Sequence, residues 1–178
     1  PAGMGPGRGA GPGRGAGLWR SAGRGYAGTM HDPDAKPALD LAARLAWRAA
    51  GRVEPNPVVG CVIVRPGAGP LQDRVVGLGH HERYGQEHAE VNALRSAARR
   101  GHDPRACTAY VTLEPCAHVG KQPACTGALI AAGIGRVVCA RRDPNPLAAG
   151  GAGVLERAGI ACTFTTVSTA GTRLSDPF

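Results

Sequence analysis

Four residues carry the chemistry this chain is equipped for: His88, Glu90, Cys116 and Cys125. The first two stand in "HAE", the others in "LEPCAHVGKQPAC", where eight residues separate two cysteines set in polar, turn-rich sequence. One histidine and two cysteines match the donor set of a zinc ion that keeps its fourth position for water. Glu90, two residues past His88, can stand near such a metal without ligating it. A carboxylate there can carry a proton from an activated water to a leaving amine. Each residue alone has a plainer reading, since a lone histidine is more often a hydrogen-bonded structural group and a cysteine at a helix start more often packs than ligates. A structural zinc is the sharper rival, but such sites close with four ligands and "LEPC" offers no obvious fourth.

The elements that must position these groups follow from the changing period of the apolar residues. Asp34 can cap a helix running to about Arg52, with Leu41, Leu45 and Ala49 on one stripe, and "PNP" stops it. "VVGCVIV" (58–64) has too little polar alternation for a solvent-facing strand and is expected at the centre of a sheet. "RVVGLGHH" follows after a turn-rich stretch, and so short a connection suggests an antiparallel hairpin. A helix from about Glu87 to Arg100 would turn Val91, Leu94 and Ala97 inward and place His88 at its start. "CTAYVTL", "IGRVVCA" and "IACTFTT" read as strands, alternating with helices at 125–132 and 151–158, the second ended by Gly159. Strand and helix alternation after a hairpin predicts an α/β fold, a three-layer α/β/α sandwich with a mixed five-stranded sheet. Cys116 then follows a strand in a loop entering a helix, so neighbouring strand-to-helix ends can converge on His88. The positive helix N-termini would favour thiolates there.

Composition bounds the rest. A chain of 178 residues with 43% apolar and 19% charged residues suits one globular domain. No run approaches the roughly eighteen apolar residues of a membrane helix, and the N-terminus lacks a secretory pattern, so no membrane partner and a cytoplasmic location are expected. Cys61, Cys107, Cys139 and Cys162 sit in apolar surroundings such as "VGCVIV" and "RVVCA" and read as small buried hydrophobes rather than a disulfide framework. Half of the net charge of +8 comes from Arg8, Arg14, Arg20 and Arg24, in an N-terminal tract without acidic residues. The remainder is mildly basic, and with aromatics at 4% there is little to stack unpaired bases, so nucleic acid is not expected as a partner. Residues 1–29 repeat Gly, Ala, Pro and Arg and cannot bury enough apolar surface to offset chain entropy. They are expected to be a disordered extension. Met30, a candidate natural start, opens the foldable region at 30–166, and 167–178 reads as a C-terminal tail.

H-x-E followed by P-C and a second cysteine is the signature of zinc-dependent nucleobase deaminases, which usually leave two residues between the cysteines. With its longer loop this chain resembles the riboflavin-biosynthesis pyrimidine deaminases, the deaminase half of a bifunctional deaminase/reductase. The resemblance runs from about Leu39 to Phe164 through "PNPVVGCVIV", "GHHERYGQEHAEVNAL", "AYVTLEPCAHVGKQPAC", "LIAAGI", "DPNP" and "GGAGVLERAGI". It implies a cytidine-deaminase-like fold, zinc held by His88, Cys116 and Cys125, and Glu90 as proton shuttle. It also implies substrate contacts from Asn56, His81, His118, Lys121, Asp143 and Asn145. The implied reaction removes the 2-amino group of 2,5-diamino-6-ribosylamino-4(3H)-pyrimidinone 5′-phosphate as ammonia. No reductase sequence follows Phe178, so the chain is either a monofunctional deaminase whose product a separate reductase is expected to use or a fragment of a longer protein; a homo-oligomer stays open.

These substrate positions also make physical sense. Asn56 and Asn145 each pair a donor with an acceptor, as a pyrimidine edge requires, and flanking prolines stiffen both loops. His118 and Lys121 lie where a cation could meet a ribose phosphate. On the residues alone, Lys121 reads as a solvated charge and "DPNP" as turn chemistry. Gln122 and Ala124 depart from the family pattern, where threonine and a second small residue are usual. Two rival readings remain: a deaminase of another nucleotide or of tRNA, and a non-catalytic RNA-binding protein with an arginine-glycine tail and a structural zinc.

Overall fold

A computed structural model describes residues 32–118, 122–146 and 148–165. The expected extension at 1–29, Met30, the tail from 167 and Lys121 lie outside the described residues.

Among the described residues five strands form one mixed sheet in the order β2-β1-β3-β4-β5: β1 Gly60–Val64, β2 Val75–His80, β3 Thr108–Val111, β4 Arg136–Cys139 and β5 Ala161–Phe164. The β1 strand is antiparallel to both β2 and β3, while β3, β4 and β5 run parallel. All five residues of β1 are buried, as its apolar run predicts for a central strand.

Alternation along the strands sorts the core into two layers. Val62, Val64, Tyr110 and Val138 face α1 (Ala35–Ala46), with Leu39 and Leu45 against them. Cys61, Ile63, Ala109, Val111, Val137 and Cys139 face the other way, onto α3 (Ala89–Arg99), α4 (Cys125–Ala131) and α5 (Gly151–Arg157). The result is the expected three-layer sandwich, in which, among the described residues, α1 covers one face and α3, α4 and α5 the other.

Several local expectations are corrected. The first helix ends at Ala46 with a 3-10 turn over Trp47–Ala49, and the chain reverses at Gly51 (φ +77°), before "PNP" is reached. Its buried face centres on Ala38, Leu39, Ala42 and Leu45, leaving Leu41 half-buried. Asp34 occupies the N-cap position but makes no capping hydrogen bond, because its carboxylate accepts two from Arg74, at 2.8 and 2.6 Å. The stretch before β2 contains a one-turn helix, α2 (Leu71–Arg74), ahead of that arginine.

The face of α3 differs most from expectation. Its fully buried side chains are Ala89, Ala93 and Ala97, with Val91 and Leu94 only partly covered. The cause lies in β2. A Cβ at Gly79 would stand 2.3 Å from both Ala89 O and Ala93 N, and one at Gly77 2.4 Å from Ala93 O. Helix and strand meet backbone to backbone, so only small residues fit the seam. That contact fixes the start of α3, where His88 and Glu90 lie.

Candidate metal centre and catalytic pocket

The site collects at one end of the sheet. His88 is the extended residue that precedes α3 (φ −76°, ψ 168°), and Glu90 lies in the first turn. Asn92 fastens this helix start to the end of β2, its side-chain amide donating to the carbonyls of His80 (2.9 Å) and Glu87 (3.2 Å). Cys116 follows β3 in the connecting loop, and Cys125 is the first residue of α4. The Cys125 N–H donates to Cys116 Sγ at 3.3 Å, and Thr126 N–H to the Cys116 carbonyl at 3.3 Å, which joins the two ends of the loop.

Three ligand atoms converge. His88 Nδ1 lies 3.2 Å from Cys125 Sγ and 3.6 Å from Cys116 Sγ, and one donor atom from each residue falls within 4.8 Å of the others. In a tetrahedral zinc site with Zn–N of about 2.0–2.1 Å and Zn–S of about 2.3 Å, nitrogen and sulfur stand about 3.6 Å apart. The donor set and its spacing therefore fit zinc.

The protonation chemistry points the same way. The Cys116 thiol is pushed down to about 4, chiefly by the hydrogen bond from the Cys125 thiol, with His88 and the Cys125 N–H adding to it against burial. Cys125 is pushed up, because it gives that hydrogen bond and because it is buried. Two buried thiols thus share one proton. A divalent cation would displace the proton and let both become thiolates. The His88 pKa is raised by its bond with Cys116 and, against burial, by the charges of Glu90 and Cys116.

Glu90 is 3% exposed, and burial raises its carboxyl pKa above the usual range. A carboxyl held there takes up and gives back a proton near neutral pH more readily than an exposed one.

Beside the cluster opens a cavity of about 270 Å³, to which His88, Glu90 and Cys116 all contribute. Asn56, His81, His118, Asp143 and Asn145, expected as substrate contacts, line it too. His81 is 2% exposed; its Nδ1 is 3.0 Å from Glu87 O and its Nε2 3.3 Å from Asn56 Nδ2. Since a carbonyl only accepts, Nδ1 carries the hydrogen and Nε2 accepts from the Asn56 amide. Burial lowers the His81 pKa, in keeping with a neutral ring. Asp143 Oδ1 accepts from Asn145 N–H at 2.9 Å, and burial raises its carboxyl pKa. His118 and Asn145 are exposed at the rim. Gln122, one of the departures from the pattern, donates from Nε2 to Gly85 O at 3.0 Å and so ties the loop before Cys125 to the opposite wall.

Sequence reading missed Glu114. It is 3% exposed, lines the cavity and is bonded to backbone 29 and 38 residues further along the chain. Its one signal was an acid in an otherwise apolar strand exit, "TLEPC", which is costly unless the charge is satisfied.

This fold and cluster define a class. The chain belongs to the cytidine and deoxycytidylate deaminase zinc-binding family, whose profile matches residues 33–141. Within it, the chain is 52% identical over 120 residues to the riboflavin biosynthesis protein RibD of Escherichia coli, covering 67% of this chain and 30% of that one. The chloroplastic riboflavin biosynthesis protein PYRD of Zea mays is 46% identical over 145 residues, covering 78% and 35%. Among solved structures, a diaminohydroxyphosphoribosylaminopyrimidine deaminase/5-amino-6-(5-phosphoribosylamino)uracil reductase from Thermotoga maritima superposes with a TM-score of 0.71 at 39% identity, over 78% of this chain and 38% of that one. The chain spans about a third of the length of these relatives. Among the described residues no helix is long and apolar enough to cross a membrane.

Proposed function

We propose that this chain catalyses the hydrolytic deamination of 2,5-diamino-6-ribosylamino-4(3H)-pyrimidinone 5′-phosphate, releasing ammonia and 5-amino-6-(5-phosphoribosylamino)uracil. The observation that carries the reading is the convergence of His88 Nδ1 and the two cysteine sulfurs beside buried Glu90, in a chain 52% identical to a riboflavin biosynthesis protein. His88, Cys116 and Cys125 would hold zinc, which supplies Lewis acidity and makes water acidic enough to serve as a nucleophile near neutral pH. Glu90 accepts the proton that the water loses. Its raised pKa lets it pass that proton to the ring nitrogen and then carry the second proton of the same water to the departing amine. Asn56, held by His81, offers its amide to the pyrimidine edge. Asn145 offers its amide likewise, with Asp143 beside it as a further substrate contact in the same cavity wall, while His118 and Lys121 meet the phosphate.

The product next requires reduction, so a reductase supplied outside these 178 residues is the proposed partner. The Thermotoga protein carries both activities in its name. Six free cysteines, two of them required as thiolates, suit a reducing compartment, the cytoplasm in the simplest case. The test is ammonia release by the zinc-loaded protein from the diaminopyrimidinone phosphate, with deoxycytidylate and a tRNA anticodon stem as comparators. Turnover of either comparator in preference to the pyrimidinone would overturn the substrate assignment.

A further inference from the structure

Glu114 is a buried carboxylate that the proton transfers do not use. Its two oxygens are taken up by backbone: Oε1 accepts from Ala152 N–H at 3.0 Å, and Oε2 from Asp143 N–H at 3.3 Å. Its own N–H donates to Arg141 O at 3.0 Å. Three hydrogen bonds therefore fasten this residue to the segment that leads from β4 into α5. That segment supplies Asp143, Asn145 and Ala148 to the cavity wall.

The surroundings make the attachment close. Ala117 N–H donates to Ala148 O at 3.3 Å, and a Cβ at Gly151 would stand 1.8 Å from Pro115 O, so the start of α5 rests directly on the loop that bears Cys116. From Asp143 the order is passed along. Its Oδ1 accepts from Asn145 N–H, and Asn145 O accepts from the N–H groups of Ala148 and Ala149, all at 2.9 Å. An apolar side chain of similar volume could fill the space of Glu114, but it would leave two backbone donors unpaired and nothing to aim the Asp143 N–H.

We propose that Glu114 is the positioning residue for the 143–145 segment, setting Asp143 and Asn145 where they meet the substrate. This rests on the substrate reading above. Glu114 touches no reacting atom; it acts through the backbone of Asp143. Loss of that hold should weaken substrate binding and leave the proton-transfer step and the metal in place.

The test compares Glu114→Gln with wild type. The amide keeps the volume but replaces one oxygen with an NH₂ that opposes one of the two backbone donors. The KM for the diaminopyrimidinone phosphate should rise about tenfold or more while kcat stays within about threefold, the pattern of lost binding to ground and transition states alike. Zinc per chain should not change. Hydrogen exchange should accelerate at whichever of the Asp143 and Ala152 amides the NH₂ opposes, and this second readout needs no turnover. Unchanged exchange at both amides overturns the proposal, as does a loss of zinc and melting temperature with KM unaltered, which would mark Glu114 as general scaffolding. Should the wild type not turn over this substrate, the function falls, and exchange still decides whether Glu114 holds the segment. If Glu114→Gln does not fold, Glu114→Asp, one methylene shorter and still charged, should release the same two amides.

Discussion

The two ends of the sheet both hold ionisable groups partly or wholly out of solvent, and they treat them in opposite ways. At the end where β3 and β4 begin, Asp34 accepts two bonds from Arg74, and Asp32 meets Arg136 at 3.1 Å and the Tyr110 hydroxyl at 3.1 Å. Burial and the two aspartates push the Tyr110 phenol up, so it stays neutral and donates. Each of these four charges, Asp34, Arg74, Asp32 and Arg136, has its opposite within the chain. At the other end, where the same strands finish, two thiols share a proton, one thiol is pushed down to about 4, and Glu90 is pushed up. Charge matched inside the chain fastens the fold. Charge that needs an added ion to balance it is available for chemistry.

The contrast can be broken most severely at the site end. Glu90→Gln should lower kcat by about 10²–10⁴-fold, the usual worth of general acid-base catalysis, with zinc content unchanged by metal analysis. Concurrent zinc loss would make Glu90 a ligand. Cys116→Ser or Cys125→Ser should instead drop zinc well below one per chain, whereas Cys61→Ser and Cys139→Ser should retain it.

A second effect concerns pH. Because Cys125 keeps its proton until a cation arrives, zinc must displace at least one proton on binding. Apparent zinc affinity should therefore fall about tenfold for each unit that pH drops, and more steeply once His88, whose pKa is raised, takes up a proton as well. Chelator competition at several pH values measures the slope, and a flat profile would mean that the thiols are not the ligands.

At the far end the expected loss is in stability alone. Arg74→Met leaves Asp34 without its partner and should cost about 1.5–3 kcal/mol, read from the urea midpoint, with kcat within about twofold of wild type. A kcat loss at preserved stability would show that the two ends are coupled. The smallest effect should come from Gln122→Ala, which removes the bond to Gly85 O. A neutral hydrogen bond of about 0.5–1.5 kcal/mol corresponds to a KM rise of roughly two- to twelvefold.

What could be read from the sequence was what depends on local pattern. The strands, the helices and the His88, Cys116 and Cys125 set follow from periodicity and spacing, because both act over a few residues or recur as motifs. Glu114 could not be read this way, since its partners lie 29 and 38 residues away and are backbone groups with no side-chain signature. The inward face of α3 was misjudged for a related reason: periodicity assumes that bulky residues point inward, and here the glycines of β2 reverse the size preference. Asp34 fits a cap pattern, but a more distant arginine claims its carboxylate.

The glycine seam between β2 and α3 has a consequence for heat and for mutation. Glycine and alanine have almost no side-chain rotamers, so the joint that carries His88 and Glu90 gives up little side-chain entropy on folding and offers few alternative packings on warming. Its alignment is set by covalent geometry rather than by interlocking side chains. Core residues away from the seam should therefore be exchangeable without re-aiming His88 and Glu90, while a single methyl at Gly77 or Gly79 would lift the helix and carry both groups out of place. Tolerance around this site should fall off as a step rather than a slope.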